Sequence, residues 1–119
     1  MYKILVVDDE PRQAELMCIM LGRLNIECII AYTGEEAVKL AKQFLPDVII
    51  MDWILPAETL TGNDAVQQIL SEPLTYQIPV IACSAVSERH QVMAEGCVDF
   101  VAKPFRLDTL LDTIRNYLP

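Results

Sequence analysis

The chain has 119 residues, of which 53% are hydrophobic, and its formal net charge is -8. This length and apolar content predict one domain with one hydrophobic core and argue against intrinsic disorder. The acidic balance argues against nucleic acids and anionic membrane surfaces as partners, because both are negatively charged.

Strand-like and helix-like segments alternate along the chain. Short runs rich in Val and Ile predict strands buried on both faces of a parallel sheet, at residues 4–7, 26–31, 48–51, 80–83 and 100–102. Apolar periodicity and end signals predict helices at about residues 11–24, 33–45, 64–71, 87–96 and 107–118, with Pro11, Thr33 and Ser87 as start signals. This alternation predicts an α/β fold with a doubly wound five-stranded parallel sheet and five helices. Residues 1–119 would form a single domain without an output domain.

Polar side chains come at the downstream ends of four of these strands. Asp8 and Asp9 follow the first strand, Asp52 the third, Ser84 the fourth and Lys103 the fifth. Because ligands bind beyond the carboxyl ends of strands in such sheets, we expect these groups to converge on one edge. Three clustered carboxylates repel one another unless a cation joins them, and hard oxygen ligands suit Mg²⁺. A carboxylate beside a metal, an ammonium and a hydroxyl predicts a place for a phosphoryl group.

The cysteines and the single histidine give little support for a zinc site. Cys18, Cys28, Cys83 and Cys97 show no metal-ligand spacing. No apolar run is long enough to cross a membrane, and acidic residues come too early for a signal peptide, so we expect a cytoplasmic protein. In that reducing compartment we expect no disulfide framework, and Cys28 and Cys83 are interpreted as buried apolar residues. His90 is expected on an exposed helix.

In their order, these motifs resemble the receiver domain of two-component response regulators. The resemblance rests on four motifs, which are VDDE at residues 7–10, IMD at 50–52, SA at 84–85 and KPF at 103–105. Each motif alone is weak, but all four at the right strand ends are specific, and the match covers essentially the whole chain. The resemblance implies the flavodoxin-like strand order 2-1-3-4-5, which agrees with the alternation of elements.

The resemblance implies that Asp52 is the phosphoacceptor. The donor would be a phosphohistidine on a sensor histidine kinase or on a histidine phosphotransfer protein. Asp9, Asp52 and the backbone carbonyl of Ile54 would bind Mg²⁺ directly, and Asp8 would act through the water shell of the metal. Hydrolysis of the aspartyl phosphate would be tuned two residues after the acceptor and two after the hydroxyl residue, here at Ile54 and Val86.

Three further residues would sense the phosphoryl group. Lys103 would pair with one phosphoryl oxygen, Ser84 would bond another, and Phe100 would turn inward when the hydroxyl moves. Simpler structural interpretations remain open: Ser84 can cap a helix, Lys103 can form a structural ion pair, and Phe100 can belong to the core. The joint presence of the acids, hydroxyl and lysine on one sheet edge favours the functional interpretation.

The first helix offers a candidate docking surface for the phosphoryl donor. Helical spacing places Ile19 outward and Leu16 at the boundary of an inward face formed by Met17, Met20, Leu21 and Leu24. The resemblance implies that a helical phosphotransfer bundle docks there. The alternative is that single exposed apolar residues are normal on protein surfaces.

Two features depart from the family pattern. The loop from Pro56 to Gly62 is longer by two residues, and Trp53 follows the acceptor directly. We interpret the chain as a receiver, stand-alone or excised from a larger protein, that acts as a signalling switch rather than a turnover enzyme. One rival is a degenerate receiver that serves as a phosphorylation-independent interaction module. The other is a small phosphatase, which usually has a second acid two residues after the nucleophile, where this chain has Ile54.

Overall fold

The computed structural model describes residues 1–55 and 60–119. Within them, five strands form one sheet: β1 (Tyr2–Val7), β2 (Ile26–Ala31), β3 (Val48–Asp52), β4 (Val80–Ser84) and β5 (Asp99–Ala102). Neighbouring strands are all parallel, and their order is β2-β1-β3-β4-β5. The predicted fold class and strand order are therefore confirmed.

Five α-helices connect or follow the strands: α1 (Pro11–Gly22), α2 (Gly34–Phe44), α3 (Gly62–Ser71), α4 (Arg89–Ala94) and α5 (Leu107–Arg115). A short 3₁₀ turn (Val86–Glu88) precedes α4. None of the helices in residues 1–55 and 60–119 is both long and apolar enough to cross a membrane. The cytoplasmic location remains a prediction.

The sheet is buried on both faces, as its apolar strands require. Side chains alternate along β1, so Leu5 and Val7 join the core under α2, α3 and α4, whereas Ile4 and Val6 join the core under α1 and α5. Helices α1, α2, α3 and α5 each bury a stripe of residues, for example Leu110 and Ile114 of α5, whereas α4 buries Val92. Two apolar layers therefore hold the strand ends in fixed positions.

The start of α3 is fixed against the end of β3. Thr61 and Asp64 form a reciprocal capping box, so the helix begins two residues before the predicted start. The first helical residue is Gly62, and a Cβ there would lie 2.6 Å from the carbonyl oxygen of Trp53. Only glycine allows this approach, which brings α3 directly against the residue that follows Asp52.

The predicted fourth helix differs most from the structure. In place of one helix over residues 87–96, the chain forms the 3₁₀ turn and then the six-residue α4, and Ser87 lies inside the turn instead of capping a helix. Gly96 ends this segment as expected, with a left-handed φ of 105°. The first helix also ends earlier than predicted, so Leu24 lies beyond α1 and is exposed.

Although no disulfide framework is expected from the sequence, one pair of cysteines among the described residues forms a disulfide. Cys18 on α1 is bonded to Cys28 on β2, with a Cα–Cα distance of 5.3 Å that suits a disulfide. The pair can form because α1 packs across β2, and both cysteines lie partly buried against the core under α1 and α5. Cys83 and Cys97 are free and buried, and burial raises the pKa of each thiol to about 12.

Candidate functional site

Three carboxylates lie together at the carboxyl edge of the sheet. Val7 of β1 is in register with Met51 of β3, so Asp8 and Asp52 leave neighbouring strands side by side. One oxygen from each of Asp8, Asp9 and Asp52 lies within 4.8 Å of the others. Asp8 and Asp52 are each only 6% exposed, whereas Asp9 faces solvent. Three oxygens at this spacing form a ligand set for a hard divalent cation.

Backbone hydrogen bonds hold Asp8 in place. The amide of Glu10 donates to Oδ1 of Asp8 at 2.9 Å, and the amide of Asp8 donates to the carbonyl oxygen of Ala31 at 3.0 Å. Glu10 also caps α1 by accepting from the amide of Arg12 at 3.3 Å. The turn from β1 into α1 therefore fixes the direction of the first carboxylate.

Asp52 has two partners for the same oxygen. The amide of Ile54 donates to Oδ1 of Asp52 at 3.2 Å, and Nζ of Lys103 lies 3.2 Å from that oxygen. Lys103 reaches Asp52 across β4, because its amide donates to the carbonyl oxygen of Ser84 at 2.8 Å and so continues the pairing of β4 with β5. An ammonium thus contacts the buried carboxylate directly.

Burial raises the pKa of Asp52 and of Asp8 above the ordinary range. The positive charge of Lys103 acts in the opposite direction on both groups, and the negative charge of Asp8 adds to the increase at Asp52. Burial removes water from around the two carboxylates, and this loss of hydration disfavours their charged forms. A bound cation relieves this cost, so the electrostatics as well as the spacing fit a metal.

Ser84 is the last residue of β4 and is 2% exposed. Its hydroxyl donates a hydrogen bond of 2.7 Å to Oε1 of Glu88, in the 3₁₀ turn before α4. The hydroxyl is therefore at the expected sheet edge and is engaged by a side chain on the next element. Sequence reasoning missed Glu88, although its spacing of four residues from a predicted functional hydroxyl was a readable signal.

Phe100 on β5 is buried and packs with the core under α2, α3 and α4. The guanidinium carbon of Arg89 lies 5.7 Å from the centre of its ring, within the range of a cation–π contact. Arg89 was also missed by sequence reasoning. Whether the ring moves on phosphorylation stays a prediction, since its buried position also fits a core role.

Leu16 and Ile19 lie on the exposed side of α1, with 53% and 58% of their surfaces accessible. Leu16 also lines a cavity of about 410 Å³ between α1 and the segment after β5, and Asp8 and Lys103 line the same cavity. An apolar surface on α1 is thus continuous with the acidic site. Ile54, directly beside the acceptor, is exposed as well.

The two departures from the family pattern have different outcomes. Trp53 is buried in the core, and its amide donates to the carbonyl oxygen of Cys83 at 3.0 Å, so it packs below the site and does not shield it. The longer loop contains Pro56 to Thr59, which lie outside the described residues. Where the description resumes, the amide of Leu60 donates to Oε1 of Glu35 at 3.0 Å.

Comparisons with known proteins agree with this geometry. The family model of the response regulator receiver domain matches residues 4–115. Protein PilH of Pseudomonas aeruginosa is 33% identical over 121 residues, covering 99% of this chain and 98% of PilH. Hybrid signal transduction histidine kinase G of Dictyostelium discoideum is 35% identical over 123 residues, covering 98% of this chain but 4% of the kinase. The chain thus corresponds to nearly all of one relative and to a small part of another.

Solved structures share the fold of this chain. The receiver domain of a sensor histidine kinase from Pseudomonas aeruginosa superimposes with a TM-score of 0.88 at 28% identity, covering 98% of this chain and 96% of that one. That structure has a magnesium ion coordinated in its active site cleft.

Proposed function

Because this chain belongs to the family of response regulator receiver domains, we propose that it is the phosphoacceptor switch of a two-component system or phosphorelay. It takes a phosphoryl group from a phosphohistidine donor onto Asp52 in a Mg²⁺-dependent step. The contact of Lys103 with Oδ1 of Asp52, inside a cluster of three carboxylates, is the observation that carries this proposal.

The carboxylates provide the metal site. Asp9, Asp52 and the backbone carbonyl of Ile54 would hold Mg²⁺, and Asp8 would assist through a water molecule. The fit is supported by oxygens within 4.8 Å of one another and by the burial that opposes charge on Asp8 and Asp52. When bound, Mg²⁺ neutralises charge on the transferring phosphoryl group.

The remaining groups act on the phosphoryl group itself. An oxygen of Asp52 forms a bond to phosphorus while the bond from phosphorus to the donor imidazole breaks. Lys103 is already within 3.2 Å of the acceptor carboxylate and pairs with a phosphoryl oxygen as it arrives. Ser84 donates its hydroxyl to a second phosphoryl oxygen, and this change of partner alters the surface that downstream proteins recognise.

The test of the function is labelling with acetyl phosphate and Mg²⁺, followed by mass spectrometry of the intact protein. We expect one added phosphoryl group in the wild type and none in Asp52→Asn. Beryllofluoride, which mimics the phosphoryl group, is expected to bind only with an intact Asp52. Labelling that persists in Asp52→Asn contradicts the choice of acceptor, and a wild type that takes no label fits a phosphorylation-independent interaction module instead.

We further propose that the donor, a sensor histidine kinase or a histidine phosphotransfer protein, docks on Leu16 and Ile19. Both side chains are exposed on α1, and the cavity that Leu16 lines leads to Asp8 and Lys103. An apolar contact there brings a donor histidine to the acidic edge.

Ile19→Asp separates docking from chemistry. We expect it to slow phosphotransfer from the cognate donor by about tenfold, through loss of one buried apolar contact, and to leave labelling by acetyl phosphate unchanged. Glu15→Asp, a conservative change on the same helix, serves as the control. Equal effects of Ile19→Asp on both donors contradict the docking surface.

A further inference from the structure

We infer that Glu88 and Arg89 act as positioning residues that hold the unphosphorylated state by engaging Ser84 and Phe100. Glu88 competes with the phosphoryl group for the Ser84 hydroxyl, and release of that bond frees the start of α4. This inference rests on the proposed phosphorylation of Asp52. It assigns roles to two residues whose side chains contact neither the carboxylates nor Lys103 in the described part of the chain.

The competition follows from the number of protons on a hydroxyl. Ser84 has one O–H and can donate one strong hydrogen bond at a time. In this structure that donor points to Oε1 of Glu88 at 2.7 Å, a length typical of a bond to a carboxylate. Ser84 must therefore give up Glu88 before it can donate to a phosphoryl oxygen at Asp52.

Among the side chains that the structure describes, the segment that carries Glu88 buries little apolar surface, so it can move at low cost. The amide of Glu88 bonds the carbonyl oxygen of Ala85 at 2.9 Å, which closes the 3₁₀ turn. Beyond it, α4 has six residues, no side-chain cap at its start, and Val92 as its buried residue. Segments with so little buried apolar surface open at low free energy.

Arg89 links the release of Glu88 to the fifth strand. It follows Glu88 directly in the chain, and its guanidinium carbon lies 5.7 Å from the ring centre of Phe100. Two consecutive residues thus contact the two side chains predicted to sense the phosphoryl group. A movement that takes Glu88 away from Ser84 also shifts Arg89 over the Phe100 ring, so the two sensors respond together.

Beryllofluoride binding in excess Mg²⁺ tests the competition. The intrinsic fluorescence of Trp53, the single tryptophan and the neighbour of Asp52, reports binding, and calorimetry checks it. We expect Glu88→Ala to bind beryllofluoride about tenfold more tightly than the wild type, since a hydrogen bond to a charged group is lost from the unbound state alone. Glu88→Gln keeps an acceptor oxygen and should lie between the two.

The control is the same substitution in a protein without the hydroxyl. Removing a negative charge near the site also favours an anion, but that effect does not need Ser84. In the Ser84→Ala background we therefore expect Glu88→Ala to keep only the gain that comes from charge, clearly less than tenfold, a coupling that a merely structural role does not produce. Circular dichroism confirms that each variant is folded.

The outcomes separate this inference from the proposed function. A wild type that binds no beryllofluoride overturns the proposed function. A wild type that binds it normally, together with unchanged or weaker binding by Glu88→Ala, overturns only the role of Glu88. An equal gain in the Ser84→Ala background also overturns that role, because the effect is then one of charge alone.

Discussion

The two halves of the candidate site differ in how rigidly the surrounding structure holds them. In the acid half, Asp8 and Asp52 extend from strands that are buried on both faces, and each carboxylate accepts a hydrogen bond from the backbone two residues later. In the hydroxyl half, Ser84 ends an equally buried strand, but its side chain bonds Glu88 at the start of the short, weakly packed α4.

Under the proposed function, this difference places the chemistry and the response in different parts of the molecule. Metal binding and phosphoryl transfer require carboxylates and an ammonium at fixed distances, which the acid half and Lys103 provide. A switch requires an element with two arrangements of similar free energy, which a six-residue helix with one buried residue among those described provides. The site would therefore combine rigidly held reacting groups with a response element, α4, that moves easily.

The largest expected difference is in amide hydrogen exchange. We expect amides of β1 and β3 to exchange at least about a thousandfold more slowly than those of α4, since the strands open only with the whole domain. Helix α2, which covers the same face but buries four residues, is the matched control and should behave like the strands. Equal protection of α4 and α2 from amide exchange would contradict the difference in rigidity between the two halves.

Removal of the disulfide tests whether α1, the proposed docking helix, is held as rigidly as the acid half. Cys18→Ser/Cys28→Ser is expected to lower the free energy of unfolding by about 2–3 kcal/mol, because the bond closes a short loop and restricts the unfolded chain. Urea unfolding with and without dithiothreitol measures it. The reductant should destabilise the wild type and leave the double variant unchanged; insensitivity of the wild type would show that the bond contributes nothing.

The lifetime of the aspartyl phosphate tests the effect of one position in each half of the site. Ile54 and Val86 lie two residues after Asp52 and Ser84, and their apolar side chains cannot orient a water for in-line attack on phosphorus. We expect Ile54→Asn/Val86→Glu to lose the phosphoryl group about tenfold faster, a change of about 1.4 kcal/mol in the barrier. Decay is followed after removal of the donor, and the single variants show which half contributes more. Equal decay of the double variant and the wild type excludes this control of lifetime.

The smallest expected effect concerns the stability that the folded protein loses by burying charged carboxylates in the acid half. Asp8→Asn should raise the melting temperature of the metal-free protein by a few degrees, because the amide keeps the bond from Glu10 and removes a buried charge. Calorimetry in a chelator measures the gain, and the exposed Asp9 provides the control, since Asp9→Asn should change less. A lower melting temperature for Asp8→Asn would contradict a strained acid half.

The same cost has a defined pH dependence. Burial raises the pKa of Asp8 above 3.8, so the folded protein binds this proton more tightly than the unfolded chain does. The metal-free wild type therefore loses stability as the pH rises through the raised pKa. The gain from Asp8→Asn should be present at neutral pH and should disappear as the pH falls below 3.8.

The sheet and its carboxyl edge were predictable from sequence because the strands are short apolar runs and a polar side chain stands at the downstream end of four of the five. Signals between residues close together in the chain, such as the Thr61–Asp64 capping box, can also be recognised in the sequence, and this box places Gly62 in α3 instead of in the predicted loop. Sequence reasoning failed where two elements meet. The Cys18–Cys28 bond depends on how α1 crosses the sheet edge, and Ser87 resembled a helix cap until the 3₁₀ turn placed Glu88 against Ser84.

The acidic cluster also makes the proposed switch depend on two conditions, a bound metal and a phosphorylated donor. With the carboxylates of Asp8, Asp9 and Asp52 ionised beside one ammonium, the edge carries an excess of negative charge and repels an incoming phosphoryl group. Under the proposed function a divalent cation removes that excess, so phosphoryl transfer requires the metal and the phosphorylated donor together. The free magnesium concentration then sets how strongly the protein responds to its proposed kinase.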